Sequence, residues 1–397
     1  MRKLYLLAAV TMAGVSAVFS LLAELEKRYD LATRHLGWIA ASAFVAALVA
    51  QLWLSRYADR GHAGLLLRVG IVASAVGLLW FAASTEVWQF VAARGLLGAG
   101  VGMIVPPARR ALVVGAEGNH GERLGVFYSA YLAGFVFGPP IGGFLTEIGD
   151  VRLPFVVFGL LTASMIVPIA RLDMPEADPS TVRTDIDSRR VLRRLLRSRK
   201  MLAALLVVVS FRYSIGVFEP LWATHLDDLG ASTRVISLSL SAFAFPMLIV
   251  AKQAGRLSDR VGPRLASLLA AAMTLPMMAT YGYAGVFWVI LIVAVPHGLM
   301  EAILSPGSQS AVALAASDDD AASAQGLAEA SGSAAAAVGA LTAPSVFEAY
   351  GAGPAWVLAA AVMAALLTTS WVLDPPVRRR SVAVEDGRLR PASAIEG

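Results

Sequence analysis

A few ionisable side chains sit inside long runs of Ala, Val, Leu, Gly and Phe: Arg94, Arg212, Glu219, His297, Glu301 and Glu329. Placing a charge at mid-membrane depth costs about 2.5–3.5 kcal/mol on insertion scales, so each such residue is a functional candidate. His297 and Glu301 are four residues apart, one above the other on a helix, and a histidine–carboxylate pair exchanges protons near neutral pH. Gln325, Glu329 and Ser333 repeat every four residues and form a polar face. Glu301 and Glu329 are therefore the leading candidates for carrying a proton or a cation. Arg94 lies about 8 residues into its run, roughly 12 Å deep at ~1.5 Å per residue. It shares a face with Gly98 and Gly102, which points it toward protein. Arg212 and Glu219 are seven apart and share a face. Glu219 is near the outer end, where a snorkelling role and a site are equal readings, whereas Arg212 lies near the middle. Glu24 and Glu26 close the first run at its outer boundary. Phe127, Tyr131, Phe211, Tyr213 and Trp222 can line an apolar cavity, or face lipid and the interfacial belts.

The elements that hold these residues follow from composition. Of 397 residues 57% are hydrophobic and only 15% charged, with a mean hydropathy of +0.67. A soluble chain of this length needs more polar residues to cover its surface. Twelve apolar runs separate: 4–24, 36–54, 65–84, 86–106, 124–146, 152–171, 201–223, 234–253, 265–284, 286–306, 321–345 and 354–373. Runs of about 20 residues are the length of a membrane-crossing helix, not of a barrel strand. The fold class expected is an all-α membrane protein of twelve transmembrane helices. The opening MRKLYLLAAVTMAGVSA has signal-peptide character. Hydrophobicity nevertheless continues through Val18 to Leu22 with no soluble domain after it, so a first membrane helix is expected.

Loop charge sets the orientation. With the N-terminus inside, about 25 Arg and Lys fall in cytoplasmic segments against about 5 outside, namely Lys27, Arg28, Arg34, Arg152 and Arg234. Residues 172–200 form a basic cytoplasmic linker that divides the spans six and six. Its VLRRLLRSRK portion reads as a positive-inside linker, or as a surface helix on anionic lipid. The expected organisation is bundle 1–171, linker 172–200, bundle 201–373 and a disordered cytoplasmic tail 374–397. The 29 Arg to 4 Lys in an Ala-rich chain suit a GC-rich bacterial genome.

The halves overlay at an offset of 200 residues. Asp59-Arg60 falls on Asp259-Arg260, Ala32-Thr33-Arg34 on Ser232-Thr233-Arg234, and Pro106 on Pro306. Repeats of this kind build secondary transporters, with the solute site between the halves. Gly134, Gly138 and Gly142 make a small-residue stripe, as do Arg94, Gly98, Gly102 and Pro106, and Ala328, Gly332, Ala336, Ala340 and Pro344. Such stripes let helix backbones approach closely in lipid. Pro139 and Pro140 each remove a backbone donor, which predicts a bend near 135–140.

These features resemble the major facilitator superfamily over nearly the whole chain. Gly255, Leu257, Asp259, Arg260, Gly262 and Arg264 match the family's G-x-L-x-D-R-x-G-x-R loop. The equivalent loop between spans 2 and 3 keeps Asp59 and Arg60, with Ser55 in place of the first glycine. Arg94 with Gly98, Gly100 and Gly102 resembles a second motif, and Gly134, Gly138, Pro139, Gly142 and Gly143 a third, associated with antiporter branches. The set looks like the 12-span drug:proton antiporter group. The resemblance implies two six-helix pseudo-symmetric bundles. It also implies a gating role for Asp59, Arg60, Asp259, Arg260 and Arg264, and proton coupling at Arg94. A span-1 acid such as Glu24 is a further coupling candidate by the same likeness, alongside Arg212 and His297. In tight cytoplasmic turns the Asp-Arg pairs would cap helix ends and latch neighbours, or simply be solvated.

Other chemistries find little support. With no cysteine there is neither a disulfide framework nor a thiolate metal site. The histidines have no metal-binding spacing, and no G-x-x-x-x-G-K-[ST] loop exists to drive transport with ATP. Gly98-x-Gly100-x-Gly102 lies within a span, so it is not a dinucleotide turn. Basic loops account for a pI near 9.6 without nucleic acid. The expectation is a non-enzymatic, cofactor-free, monomeric transporter in a bacterial inner membrane, with both termini cytoplasmic. It would export a lipophilic drug-like or other small organic molecule in exchange for protons, a cation being one form of it. The alternatives are a metabolite exporter or importer, and a non-transporting receptor.

Overall fold

The computed structural model describes residues 1–57, 62–113, 120–172, 185–317, 320–375, 384–385 and 388–389. Asp59 and Arg60 lie outside them. Among the described residues, twelve helices are long and apolar enough to cross a membrane. The first bundle contains α1 (Arg2–Ser20), α3 (Thr33–Tyr57), α4 (Ala63–Ala83), α5 (Val87–Val113), α6 (His120–Ile148) and the sixth span, which Met165 divides into α7 (Leu153–Ser164) and α8 (Ile166–Ala170). A short α2 (Leu22–Tyr29) follows α1 after a break at Leu21, so Glu24 lies beyond the first span. The second bundle contains α10 (Arg199–Asp228), α11 (Thr233–Val261), α12 (Pro263–Tyr283), α13 (Phe287–Ala315), α14 (Ala321–Tyr350) and α15 (Ala352–Leu373). Between the bundles lies the linker helix α9 (Asp185–Arg197), whose Val191 and Leu195 pack onto the second bundle. Within the tail, β1 (Val384–Glu385) and β2 (Arg388–Leu389) pair antiparallel.

Several helices outrun their apolar cores, and this moves one motif. Asp259 and Arg260 belong to the last turn of α11; the chain reverses only at Gly262, at φ 101°. That left-handed backbone suits glycine. The expectation that Asp259-Arg260 occupies a loop is thereby corrected. Ser198 and Ser232 accept from the amides of Met201 and Val235, leaving fewer orphan donors at two helix starts.

The glycine stripe of α6 packs against α1. A Cβ at Gly134 would strike the Ala9 backbone, one at Gly138 the Ala13 backbone and Ser16, and one at Gly142 would sit 3.1 Å from Ala17 Cβ. Gly98 and Gly102 face α3 in the same way, at Ala43 and Ala47. These stripes thus weld the first bundle internally. Gly143 instead meets Ser237 of α11, across the bundle interface.

The bundles meet along α3 with α14 and α6 with α11. Proline has a direct structural effect there. Pro140 has no N–H to give the Val136 carbonyl, and Ser241 of α11 donates to that oxygen from the opposite bundle at 2.5 Å. Pro344 likewise frees the Ala340 carbonyl, which faces Gly37 of α3. α6 runs through Pro139 and Pro140 as one helix.

Candidate transport site

Arg94 of α5 and Glu219 of α10 form an ion pair between the bundles. Their side chains are 2% and 9% exposed. Arg94 Nη2 donates to Glu219 Oε1, while Nε and Nη1 have no partner among the described residues. Sequence reading put Arg94 among the candidates but left Glu219 open. The one available signal was an acid in a span sharing the Arg212 face; its partner, 125 positions away, leaves no local periodicity.

His297 and Glu301 do meet on α13, Nε2 to Oε1 at 3.7 Å. The other imidazole nitrogen lies 3.0 Å from the Tyr281 hydroxyl of α12. Phe218 packs onto His297, Tyr281, Trp222, Phe243 and Trp356, with ring centroids 4.9–5.8 Å apart. The partners of the His297–Glu301 pair belong to the second bundle. Trp222 is inside this box, its indole N–H donating to Ser239, and Phe127, Phe211 and Tyr213 are likewise buried. Burial in protein overrides the lipid-facing reading for these four rings.

Glu329 of α14 stands between two arginines. Arg109 Nη1 of α5 is 3.9 Å from Oε1, and Arg212 Nη2 of α10 is 3.7 Å from Oε2. Gly332, one turn from Glu329, makes room for Arg212: a Cβ there would lie 2.8 Å from Arg212 Cγ. Gln325 leaves the expected polar face to donate to the Gln309 carbonyl of α13 at 3.0 Å.

At the bundle end carrying residues 29–33, 149–152 and 229–232, every cation that the loop-charge count leaves on that side is engaged. Lys27 pairs with Asp227 at 2.7 Å, Arg28 with Asp150 at 2.6 Å and Arg34 with Glu348 at 2.6 Å. Arg234 pairs with Glu147, and Arg152 donates to the Tyr29 hydroxyl at 3.1 Å. Three of these bridges cross between bundles, and they follow the internal repeat. Arg34 and Arg234 are equivalents, and each binds a glutamate on the last turn of the opposite bundle's interface helix. Lys27 and Asp227 occupy equivalent positions and meet each other across the pseudo-symmetry axis. Glu26 accepts from Thr33 at 2.7 Å and from Thr224 of the second bundle at 2.8 Å. Burial raises its pKa, with Asp228 and Asp227 adding to the effect and the two threonines opposing it. Glu24 accepts from Thr233 at 3.2 Å and so belongs to this latch.

At the opposite end, Arg264 of the loop motif binds Asp374 at 2.6 Å and the Ser370 carbonyl, joining α12 to the end of α15 within one bundle. Tyr128 of α6 reaches Ser305 of α13 at 3.4 Å.

Two helical bundles, latched at one end and joined through a buried ion pair, define a membrane transporter of the two-bundle class. The chain belongs to the Major Facilitator Superfamily, whose model matches residues 4–227 and 204–396. It is 22% identical over 284 residues to "Multidrug resistance protein MdtG" of Enterobacter lignolyticus (strain SCF1), covering 69% of this chain and 66% of that protein. The protein of that name from Klebsiella pneumoniae (strain 342) is 26% identical over 263 residues, 61% of this chain and 60% of its own. The matched stretch thus spans less than two thirds of these relatives. Among solved structures, the nucleoside transporter NupG superposes with a TM-score of 0.78 at 12% identity, covering 94% of this chain and 99% of its own.

Proposed function

We propose that this protein is a proton-coupled secondary transporter that exports a small drug-like molecule by alternating access. The observation that carries the reading is the buried Arg94–Glu219 pair, because it makes the contact between bundles depend on one carboxylate's charge. The loop-charge bias orients the latch end outward, with both termini cytoplasmic in a bacterial inner membrane. The conformation described is then closed to the outside.

In this reading Glu219 is ionised and paired while the substrate loads from the cytoplasm. Substrate-driven rocking opens the latch and separates the pair. Glu219 then takes a proton from the outside, which removes the attraction to Arg94 and the cost of an unpaired buried charge. Return of the bundles brings Arg94 back, and the proton leaves inward. One proton enters as substrate leaves. His297–Glu301 is a second proton site, and its partners lie within the second bundle, so it does not itself join the bundles. The multidrug names of the relatives support a drug-like substrate.

The test is transport in proteoliposomes under an imposed pH gradient, with proton release followed by an internal dye. Substrate movement should follow the gradient, and Glu219→Gln should abolish substrate-triggered proton release. Movement indifferent to the gradient would refute the coupling. Single Glu24→Gln, Glu301→Gln and Glu329→Gln variants identify whether another acid carries the proton.

A further inference from the structure

We infer that the transported molecule carries an oxyanion head, and that Arg109 and Arg212 receive the head beside Glu329. The inference rests on the transport reading and names the class of substrate for it.

The site has two guanidinium groups around one carboxylate, a formal charge of one positive. Both separations, 3.7 and 3.9 Å, exceed hydrogen-bond length. The cations are therefore held near Glu329 by charge and, for Arg212, by packing against Gly332, without a hydrogen bond to the carboxylate. The side chains of Arg109, Arg212 and Glu329 are 49%, 28% and 31% exposed, so the cluster borders open space instead of being sealed like Arg94–Glu219. Arginine forks match the two oxygens of a carboxylate or phosphonate, and hydrogen bonds between ions are about twice as strong as neutral ones. A ligand oxyanion can thus outcompete the loosely seated Glu329, whereas a ligand cation meets two like charges.

Tyr131 of α6 borders a closed apolar crevice between α1, α5 and α6. Thr11 and Met12 of α1, Val105 of α5 and Phe127 of α6 line it as well, and its free volume of about 10 Å³ holds no more than one water in this conformation. In that crevice the Thr11 hydroxyl is buried without a partner among the described residues. Arg109 belongs to the first bundle and Arg212 to the second. A head bridging them draws the cytoplasmic ends together, the movement that export requires.

The experiment measures binding to the full chain in nanodiscs of zwitterionic lipid, without a gradient. The probes are 6-phenylhexanoate, 6-phenylhexanamide and 6-phenylhexylamine, one skeleton with three head charges. The carboxylate should bind about tenfold or more tighter than the amine. Arg109→Gln and Arg212→Gln should each remove most of that preference while leaving the amide unchanged, and Arg212→Lys should restore part of it. Glu329→Gln should tighten the carboxylate. Equal or tighter amine binding, or carboxylate affinity unmoved by both arginine variants, overturns the inference. Thermal midpoints of the same samples separate misfolding from lost recognition. Carboxylate binding without pH-driven transport refutes only the coupling reading; pH-driven transport with an amine preference refutes only this one.

Discussion

Replacing Glu219 by Gln imitates its protonated state and leaves Arg94 charged in a site where its side chain is 2% exposed. Breaking a buried ion pair by removing one partner costs roughly 3–5 kcal/mol. Arg94 has two further nitrogens without partners among the described residues, so none of these compensates, although Gln keeps one acceptor and favours the low end of that range. At ~1.4 kcal/mol per tenfold, the latched conformation should lose roughly 10²- to 10³-fold in population relative to states that let Arg94 rehydrate. The chain has no cysteine. Cysteines placed at Thr85 and Gly285, in latch-end loops of the two bundles, therefore take spin labels directly, and pulsed dipolar spectroscopy reads their separation. Glu219→Gln should lengthen the distribution, and a double Arg94→Met, Glu219→Leu variant should return it toward the wild type while staying unable to release protons. The double variant separates loss of attraction from an orphaned charge, because removing both ions abolishes the desolvation penalty along with the pair. An unchanged distribution in Glu219→Gln, or a double variant as open as the single one, refutes the proposed switch.

Glu26 and the α6 stripe give two further expectations. Burial in the closed latch raises the Glu26 pKa, and solvation on opening returns it to the ordinary carboxylate range. The closed form therefore binds the proton more tightly. Acidification from above the raised pKa down to the ordinary one should favour the closed latch through Glu26, and Glu26→Gln should remove that closing response from the same label distances. Gly138→Ala forces a methyl into the Ala13 backbone and Ser16. At about 1–3 kcal/mol for an overpacked site, it should lower the thermal midpoint in detergent, whereas Gly125→Ala, with nothing within 4 Å, should not.

Hydrophobic runs of bilayer length determined the twelve spans, because lipid forces the backbone to satisfy itself within each helix. All twelve were legible. The same rule made Arg94, His297, Glu301 and Glu329 stand out as charges in apolar context. One-turn spacing was enough to pair His297 with Glu301, since helix geometry alone sets that distance. The 200-residue offset was legible too, yet its consequence was not. Arg34 and Arg234 read as exceptions to the loop-charge bias, and only the docked bundles turned them into symmetric bridges to Glu348 and Glu147. The glycine stripe announced a close helix contact without saying which one: packing assigned Gly134, Gly138 and Gly142 to α1 and only Gly143 to the interface. Pairings such as Arg94 with Glu219 and Glu329 with Arg109 and Arg212 were decided by tertiary structure alone. Each depends on which faces of separate helices meet, and the sequence encodes those faces one helix at a time, while the meeting of two faces is a property of the whole packed assembly.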